Sequence, residues 1–142
     1  MNDLDQKINV QPHSIDAELA VLGSMLSSKE AVSKTIQWLK PNHFYKDSNG
    51  KIYSAMLTLF ENGDPIDTVS LIEVLRKNKD LDFVGGAYFV TGLVESVPTV
   101  AHVERYSKIV LEKALLRRLI LLSHDIAKEA YDDKKEVNDI LD

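Results

Sequence analysis

The sequence contains no cysteine, and this absence removes several kinds of chemistry from consideration. Without cysteine the chain can form no disulfide, no thiolate nucleophile and no cysteine-ligated zinc site. No apolar run approaches the ~18 residues of a membrane-spanning helix, and the polar segment from Met1 to Pro12 lacks the apolar core of a signal peptide. We therefore expect a cytoplasmic location and no membrane partner.

An excess of basic residues is also missing. Lys and Arg together number 17 against 22 Asp and Glu, which gives a formal net charge of -5. A protein that neutralises many phosphates is normally basic, so strong autonomous binding to nucleic acid is not expected. The 142 residues, of which 44% are hydrophobic, are typical of one domain that buries about 68–70% of its extended-chain surface.

Motifs that bind nucleotides are absent as well. A phosphate-binding loop needs a Lys-Ser or Lys-Thr pair and a glycine six residues before the lysine. Gly50-Lys51 is followed by Ile52, and the residue six positions before Lys51 is Tyr45. The pair Gly85-Gly86 lacks the third glycine of a dinucleotide-binding fingerprint. We therefore predict no cofactor-binding residue in this chain.

Histidines and carboxylates form no constellation that indicates catalysis or metal binding. The histidines occur singly, without a partner at metal-ligand spacing, at His13, His43, His102 and His124. Acidic pairs such as Asp16 with Glu18 lie where the first turn of a helix favours negative charge. We predict neither catalytic nor metal-binding residues.

Apolar residues recur at helical spacing through the first two thirds of the chain. Helices are predicted after an N-cap at Ser14, from Ser27, from Asn49-Gly50, and after a cap at Asp67 or Thr68. The last of these is expected to bury Val69, Ile72 and Leu75. The apolar faces of the first three are expected to bury Leu19, Leu22, Ile36, Ile52, Met56, Leu59 and Phe60.

The segment Phe83 to Phe89 allows two interpretations. Its β-branched and aromatic residues around Gly85-Gly86 are compatible with a small β-hairpin. A turn at the glycines followed by a short helix is favoured, because the surrounding chain is helical and two isolated strands are marginally stable.

A long helix is predicted from Ala101 to about Tyr131, a stretch without glycine or proline. At 1.5 Å per residue it spans about 45 Å, whereas a compact domain of this size is about 37 Å across. The helix should therefore project from its own domain. We divide the chain into a flexible leader (residues 1–11), a globular helical head (12–98) and an arm (99–142).

The projecting part of the helix is apolar over more than half of its circumference, with a strip of polar residues that includes Arg117 and Arg118. An arc this wide needs contacts on two sides, so we predict that it is an interface for self-association or for another protein. The basic cluster of Lys113, Arg117 and Arg118 is expected to be a solvated helix face, with an ion-pairing or nucleic-acid contact as the alternative. The candidate interface residues are Leu115, Leu116, Leu119, Ile120, Leu122, Ile126 and Ala130.

The last residues begin another amphipathic segment. Asp132 to Lys135 form a polar turn, and Val137, Ile140 and Leu141 follow at helical spacing. A helix of barely two turns is marginal by itself. We therefore expect that the chain is cut within a helical hairpin.

Several short motifs, in this order and spacing, resemble the N-terminal domain of bacterial replicative DNA helicases of the DnaB family. The resemblance extends from Pro12 to about Asp132. Its motifs are Pro12 to Glu18, Val21 to Leu26, His43-Phe44-Tyr45, Ile52-Tyr53, Gly63 to Asp67, Val84-Gly85-Gly86, Val97-Pro98-Thr99, Tyr106, Ile109-Val110 and Glu112-Lys113-Ala114.

The resemblance implies an all-α fold that ends in a helical hairpin. It further implies dimers formed through such hairpins, three of which make the collar of a homohexamer, and recruitment of primase to that collar within the primosome. A helicase loader is a further partner that it suggests. ATP, magnesium and single-stranded DNA would be bound only by a following RecA-like motor domain, which is absent here. The alternatives are a stand-alone adaptor that mimics this domain to bind helicase or primase, and a small enzyme.

Overall fold

The computed structural model describes residues 10–132 and 134–142. Within these ranges the chain is helical and has no β-strand, which confirms the all-α prediction. Residues 1–9 of the predicted leader and Asp133 of the predicted polar turn lie outside the described residues. The α-helices are α1 (Ile15–Ser27), α2 (Lys29–Ile36), α3 (Asp47–Glu61), α4 (Thr68–Lys77), α5 (Gly86–Gly92), α6 (Val103–Ala130) and α7 (Val137–Leu141).

Helix α1 lies at the centre of the head. The Ser14 hydroxyl accepts a hydrogen bond from the Ala17 N–H at 3.2 Å, which confirms the predicted cap. Val21, Leu22 and Met25 are fully buried, and the helix contacts α2, α3, α6 and the 3-10 turn Leu93–Ser96. A helix contacted on several sides is apolar around most of its circumference, which is why α1 organises the core.

Gly23 permits the contact between α1 and the Leu93–Ser96 turn. A Cβ atom added at this position would collide with the Leu93 carbonyl oxygen and the Val97 side chain. The absence of a side chain therefore allows the Leu93–Ser96 turn to lie directly on α1.

Two helix starts differ from the sequence predictions. Helix α2 is capped by Ser28, not Ser27, because Ser28 is extended and its hydroxyl accepts from the Ala31 N–H at 3.3 Å. Helix α3 begins at Asp47, so Asn49-Gly50 lies inside the helix instead of opening it. The reason is tertiary, since the carboxylate of Glu18 on α1 binds the backbone ahead of α3.

Burial confirms most of the predicted core and corrects two positions. Leu22, Ile52, Met56, Leu59 and Leu75 are buried, and Leu19, Ile36 and Ile72 are half-buried. Phe60 is exposed, because it follows the buried Leu59 onto the outer side of α3. Val69 is also exposed, because α4 turns Leu71 and Leu75 to the core, and Val69 lies about 200° around the helix from Leu71.

A turn and a short helix, not a hairpin, occupy the segment that allowed two interpretations. Gly85 and Gly86 have φ values of 113° and 82°, a region that favours glycine. Helix α5 begins directly after this turn, and Val90 is its buried residue.

Tyr53 shows how the core accommodates a polar group. Its ring packs against Phe44 with centroids 5.0 Å apart, and its hydroxyl donates to the Leu39 carbonyl oxygen at 2.7 Å. Burial raises the pKa of Tyr53 to about 12, so the hydroxyl stays protonated and keeps this hydrogen bond at any physiological pH.

Helix α6 has two different halves. Thr99 caps the short 3-10 turn that leads into it, and Val103, Ser107 and Val110 are buried against the head. After Val110 no described residue is buried. The helix has 28 residues and a length of about 42 Å, so its second half carries its apolar side chains beyond the head. None of the helices in the described ranges combines the length and hydropathy needed to span a membrane.

Candidate protein-interaction surface

Every residue of the predicted interface lies on α6 after Val110, its last buried residue. Ala130, near its end, is exposed as well. The large side chains retain between 37% and 59% of their accessible surface, at Leu115, Leu116, Leu119, Ile120, Leu122 and Ile126. Side chains of this type are normally buried, so a continuous exposed run of them makes this surface a candidate for protein interaction.

Four of these residues share one face of the helix, which we call the outer stripe: Leu115, Leu119, Leu122 and Ile126. Their spacing of four, three and four residues is the spacing at which one helix packs along another in a coiled coil. Leu116 and Ile120 lie on the flank of the helix. With Pro12, Leu119, Ser123 and His124 they line an open hollow of about 370 Å³.

The arm exposes one further large apolar residue that helical periodicity does not predict, Leu121. Leu121 retains 60% of its accessible surface, but it lies within the polar strip, between Arg117 and Arg118 around the helix axis. Apolar periodicity selects residues that share a face, and Leu121 lies outside the face on which the other residues were grouped. The unbroken run from Leu119 to Leu122 was the available signal.

Helix α7 forms a short return at the end of the arm and contacts α6. Lys135 in the connecting turn forms an ion pair with Glu129 of α6, with Nζ and Oε1 3.0 Å apart. Val137 and Leu141 retain 68% and 77% of their accessible surface. The described part of α7 therefore leaves the outer stripe uncovered.

Arg117 corrects the prediction of a solvated basic face. Its guanidinium donates to the Pro12 carbonyl oxygen and to the His43 carbonyl oxygen, each at 2.8 Å. The same group lies 5.4 Å from the centre of the Tyr45 ring. Arg117 is thus bound to the head by two hydrogen bonds and a cation–π contact, which only the tertiary fold could bring together.

Tyr45 also contacts His13 and Glu18. The imidazole of His13 stacks on its ring, with centroids 4.3 Å apart and planes inclined by 13°. Its backbone N–H donates to the Glu18 carboxylate at 2.8 Å. The Tyr45 ring that receives Arg117 is therefore positioned by its own contacts with His13 and Glu18.

The histidines have individual local roles. His43 Nδ1 accepts from the Lys40 N–H at 3.0 Å, and His102 lies edge-on to Tyr106. Burial lowers the pKa of His43 below its usual 6.5, and the positive charges of Lys40 and Arg117 lower it further. The described residues contain no cluster of three or more histidine or acidic side chains that could hold a metal ion.

A family model described as the DnaB-like helicase N terminal domain matches residues 10–112. The replicative DNA helicase DnaC of Bacillus subtilis (strain 168) is 42% identical over 130 residues. That alignment covers 92% of this chain and 29% of the relative. The chain therefore spans less than a third of the length of this relative.

Solved structures with the same fold include the N-terminal domain of the DnaB helicase from Mycobacterium tuberculosis. It superposes with a TM-score of 0.88 at 34% identity and covers 93% of this chain and 94% of that one. A second is a DnaB-like replicative helicase described together with its interactions with primase. It gives a TM-score of 0.73 at 28% identity, over 83% of this chain and 28% of that one.

Proposed function

The chain belongs to the DnaB-like helicase N-terminal domain family, and from this premise we propose that it is the self-association and primase-recruiting part of a replicative DNA helicase. The observation that carries the proposal is the exposed apolar surface of α6, which includes the outer stripe. Relatives of the chain are replicative DNA helicases, and one structural neighbour is described with primase. We propose a cytoplasmic location on the same grounds.

The energetics of the outer stripe favour association. Burying a leucine or isoleucine side chain completely is worth roughly 1.5–3 kcal/mol, and the outer stripe leaves about half of each such side chain in water. A second copy can cover the outer stripe with its own in a symmetric, antiparallel or parallel helix pair. We propose that such dimers assemble in threes into the collar of a hexamer.

The other partners follow from the same proposal. Primase, and a helicase loader as a second protein, would bind the collar formed by these arms. ATP, magnesium and single-stranded DNA are assigned to the motor domain of the complete helicase, and no residue of this chain is assigned to them.

Sedimentation velocity tests the self-association step. We expect the parent chain to form a dimer at tens of micromolar concentration and the Leu119→Asp/Ile126→Asp variant to be monomeric, because two carboxylates would have to be desolvated in the contact. A Val69→Asp/Tyr88→Asp variant is the matched control, since both residues are exposed on the head, at 78% and 93%. A parent chain that is monomeric at this concentration would contradict the proposal.

Calorimetric titration with primase from the same organism tests recruitment. We expect binding to the parent chain and to the Val69→Asp/Tyr88→Asp control, and weaker binding to the variant with a disrupted outer stripe. Circular dichroism confirms that each variant is folded before titration. Absence of heat with the parent chain at two well-separated temperatures, at concentrations where it is dimeric, would exclude primase as a partner of this chain, because apolar burial changes the heat capacity and cannot be silent at both.

A further inference from the structure

Arg117 is the last residue of α6 whose side chain hydrogen-bonds to the head within the described ranges. Residues before it are held by packing, with Val103 and Val110 buried and the ammonium group of Lys108 5.1 Å from the centre of the Trp38 ring. Beyond Arg117 the described side-chain hydrogen bonds of α6 stay within the arm. Arg117 therefore lies where the helix leaves the head.

The two acceptors of Arg117 come from separate parts of the head. Pro12 precedes the cap of α1, and His43 ends the 3-10 turn Pro41–His43, where carbonyl oxygens have no helical partner. A guanidinium has several donors in one rigid plane, so it can bind both oxygens and still lie over Tyr45. The two hydrogen bonds of Arg117 and its contact with the Tyr45 ring together restrict rotation of the helix about its own axis.

This restraint determines which way the outer stripe faces. At about 100° per residue, the outer stripe lies about 140–180° around the helix axis from Arg117. Holding Arg117 against the head thus turns Leu115, Leu119, Leu122 and Ile126 away from it. A rotation of about 100°, one residue step, would bring part of the outer stripe against the head instead.

We propose that Arg117 is a positioning residue that fixes the direction and rotation of the arm relative to the head, and so presents the outer stripe to a partner helix. The part of this statement that concerns a partner rests on the proposed function, whereas the orientation of the arm does not. Arg118, the adjacent basic residue, points to a different side and is exposed, so it supplies a matched control.

Electron–electron distance measurements test the positioning directly. The chain has no native cysteine, so spin labels can be placed at Ser33→Cys on the head and Lys128→Cys on the arm, both exposed. Dilution with unlabelled chain removes distances between copies. We expect one narrow distance distribution in the parent and in Arg118→Ala, and a shifted or broadened distribution in Arg117→Ala with an unchanged helical circular dichroism signal.

Arg117→Lys separates geometry from charge. Lysine keeps the charge but carries a point-like ammonium that cannot bind both carbonyl oxygens while lying flat on Tyr45, so its distribution is also expected to broaden, though less than that of Arg117→Ala. A parent-like distribution in Arg117→Ala overturns the proposal. If Arg117→Ala is unfolded, a parent-like Arg117→Lys overturns it. A changed distribution in a chain that never self-associates supports the positioning role while refuting the proposed function.

Discussion

Glu18 illustrates at the scale of one residue how a local preference serves a distant element. Its position in the first turn of α1 suits an acid because of the helix dipole. The carboxylate is nevertheless 1% exposed and accepts from the Tyr45 and Lys46 backbone N–H groups and from the Asn49 amide at 2.8, 3.4 and 3.0 Å. It therefore joins α1 to the start of α3.

Replacing Glu18 with alanine should lower the free energy of unfolding by about 3 kcal/mol, because buried donors lose a charged acceptor. Glu18→Gln should cost less, since an amide oxygen can still accept. Urea denaturation measures both changes. Asp16→Ala is the control, because Asp16 is an exposed acid in the same turn. This substitution should change the free energy of unfolding by less than about 1 kcal/mol. Equal losses for Glu18→Ala and Asp16→Ala would contradict this role.

His43 gives the stability of the protein a specific pH dependence. Its pKa is lowered from 6.5, first by burial and then by Lys40 and Arg117, so the unfolded chain binds a proton at a higher pH than the folded one. Stability from this group is therefore complete above pH 6.5 and decreases as the pH falls toward the folded-state pKa.

In urea denaturation at a series of pH values, His43→Asn should lose less stability than the parent between about pH 7 and about pH 5, because asparagine does not titrate and can still accept from the Lys40 N–H. His124→Asn is the comparison, since that side chain is exposed on the arm. A parent-like pH dependence in His43→Asn would show that His43 is not the responsible group.

At the scale of the elements, the contact between α1 and the Leu93–Ser96 turn depends on Gly23. Alanine is the better helix former by about 1 kcal/mol, but its Cβ would overlap the Leu93 carbonyl oxygen and the Val97 side chain. We expect Gly23→Ala to destabilise the fold by about 1–3 kcal/mol, since buried backbone must shift.

Gly92→Ala is the matched control for this contact, because a Cβ there meets nothing within 4 Å and its φ of -74° suits alanine. It should be neutral or slightly stabilising. Thermal unfolding of the two variants shows whether the steric contact or the helix propensity of alanine dominates at Gly23. The contact predicts a lower melting temperature for Gly23→Ala than for Gly92→Ala. An increase in melting temperature for Gly23→Ala would mean that the turn does not lie so close to α1.

At the scale of the whole molecule, net charge and exposed apolar surface act in opposite directions. The charge of -5 makes copies repel one another, whereas the outer stripe favours association. Salt screens the repulsion, with a Debye length of about 10 Å at about 0.1 M, and leaves apolar burial intact. Raising NaCl from about 0.05 M to about 0.5 M should therefore strengthen the proposed dimer several-fold.

Light scattering over a concentration series at each salt level measures this effect. The disrupted variant Leu119→Asp/Ile126→Asp should remain monomeric at both ends of the salt range, so any association it shows would arise from another surface. If the parent dimer weakens as salt increases, ion pairs rather than the outer stripe hold it together.

The sequence by itself determined the helical fold, the main core positions, the glycine turn before α5 and the apolar character of the arm. These features depend on spacing, capping and composition, which act over a few residues. Ser14, Leu22 and the residues of the outer stripe could therefore be assigned without coordinates. Their role as an interface remains a prediction, because exposure alone does not identify a partner.

Only the tertiary structure decided the roles of Glu18 and Arg117, the partner that Gly23 contacts, and the exposure of Phe60 and Val69. Glu18 and Arg117 bind groups that are 27 to 105 residues away in the chain, and no periodic pattern encodes such pairs. Phe60 and Val69 lie on the outer sides of α3 and α4, and the side that each helix turns to the core is set by packing. Apolar spacing specifies that a helix has a buried face, but packing against the rest of the chain determines where that face ends.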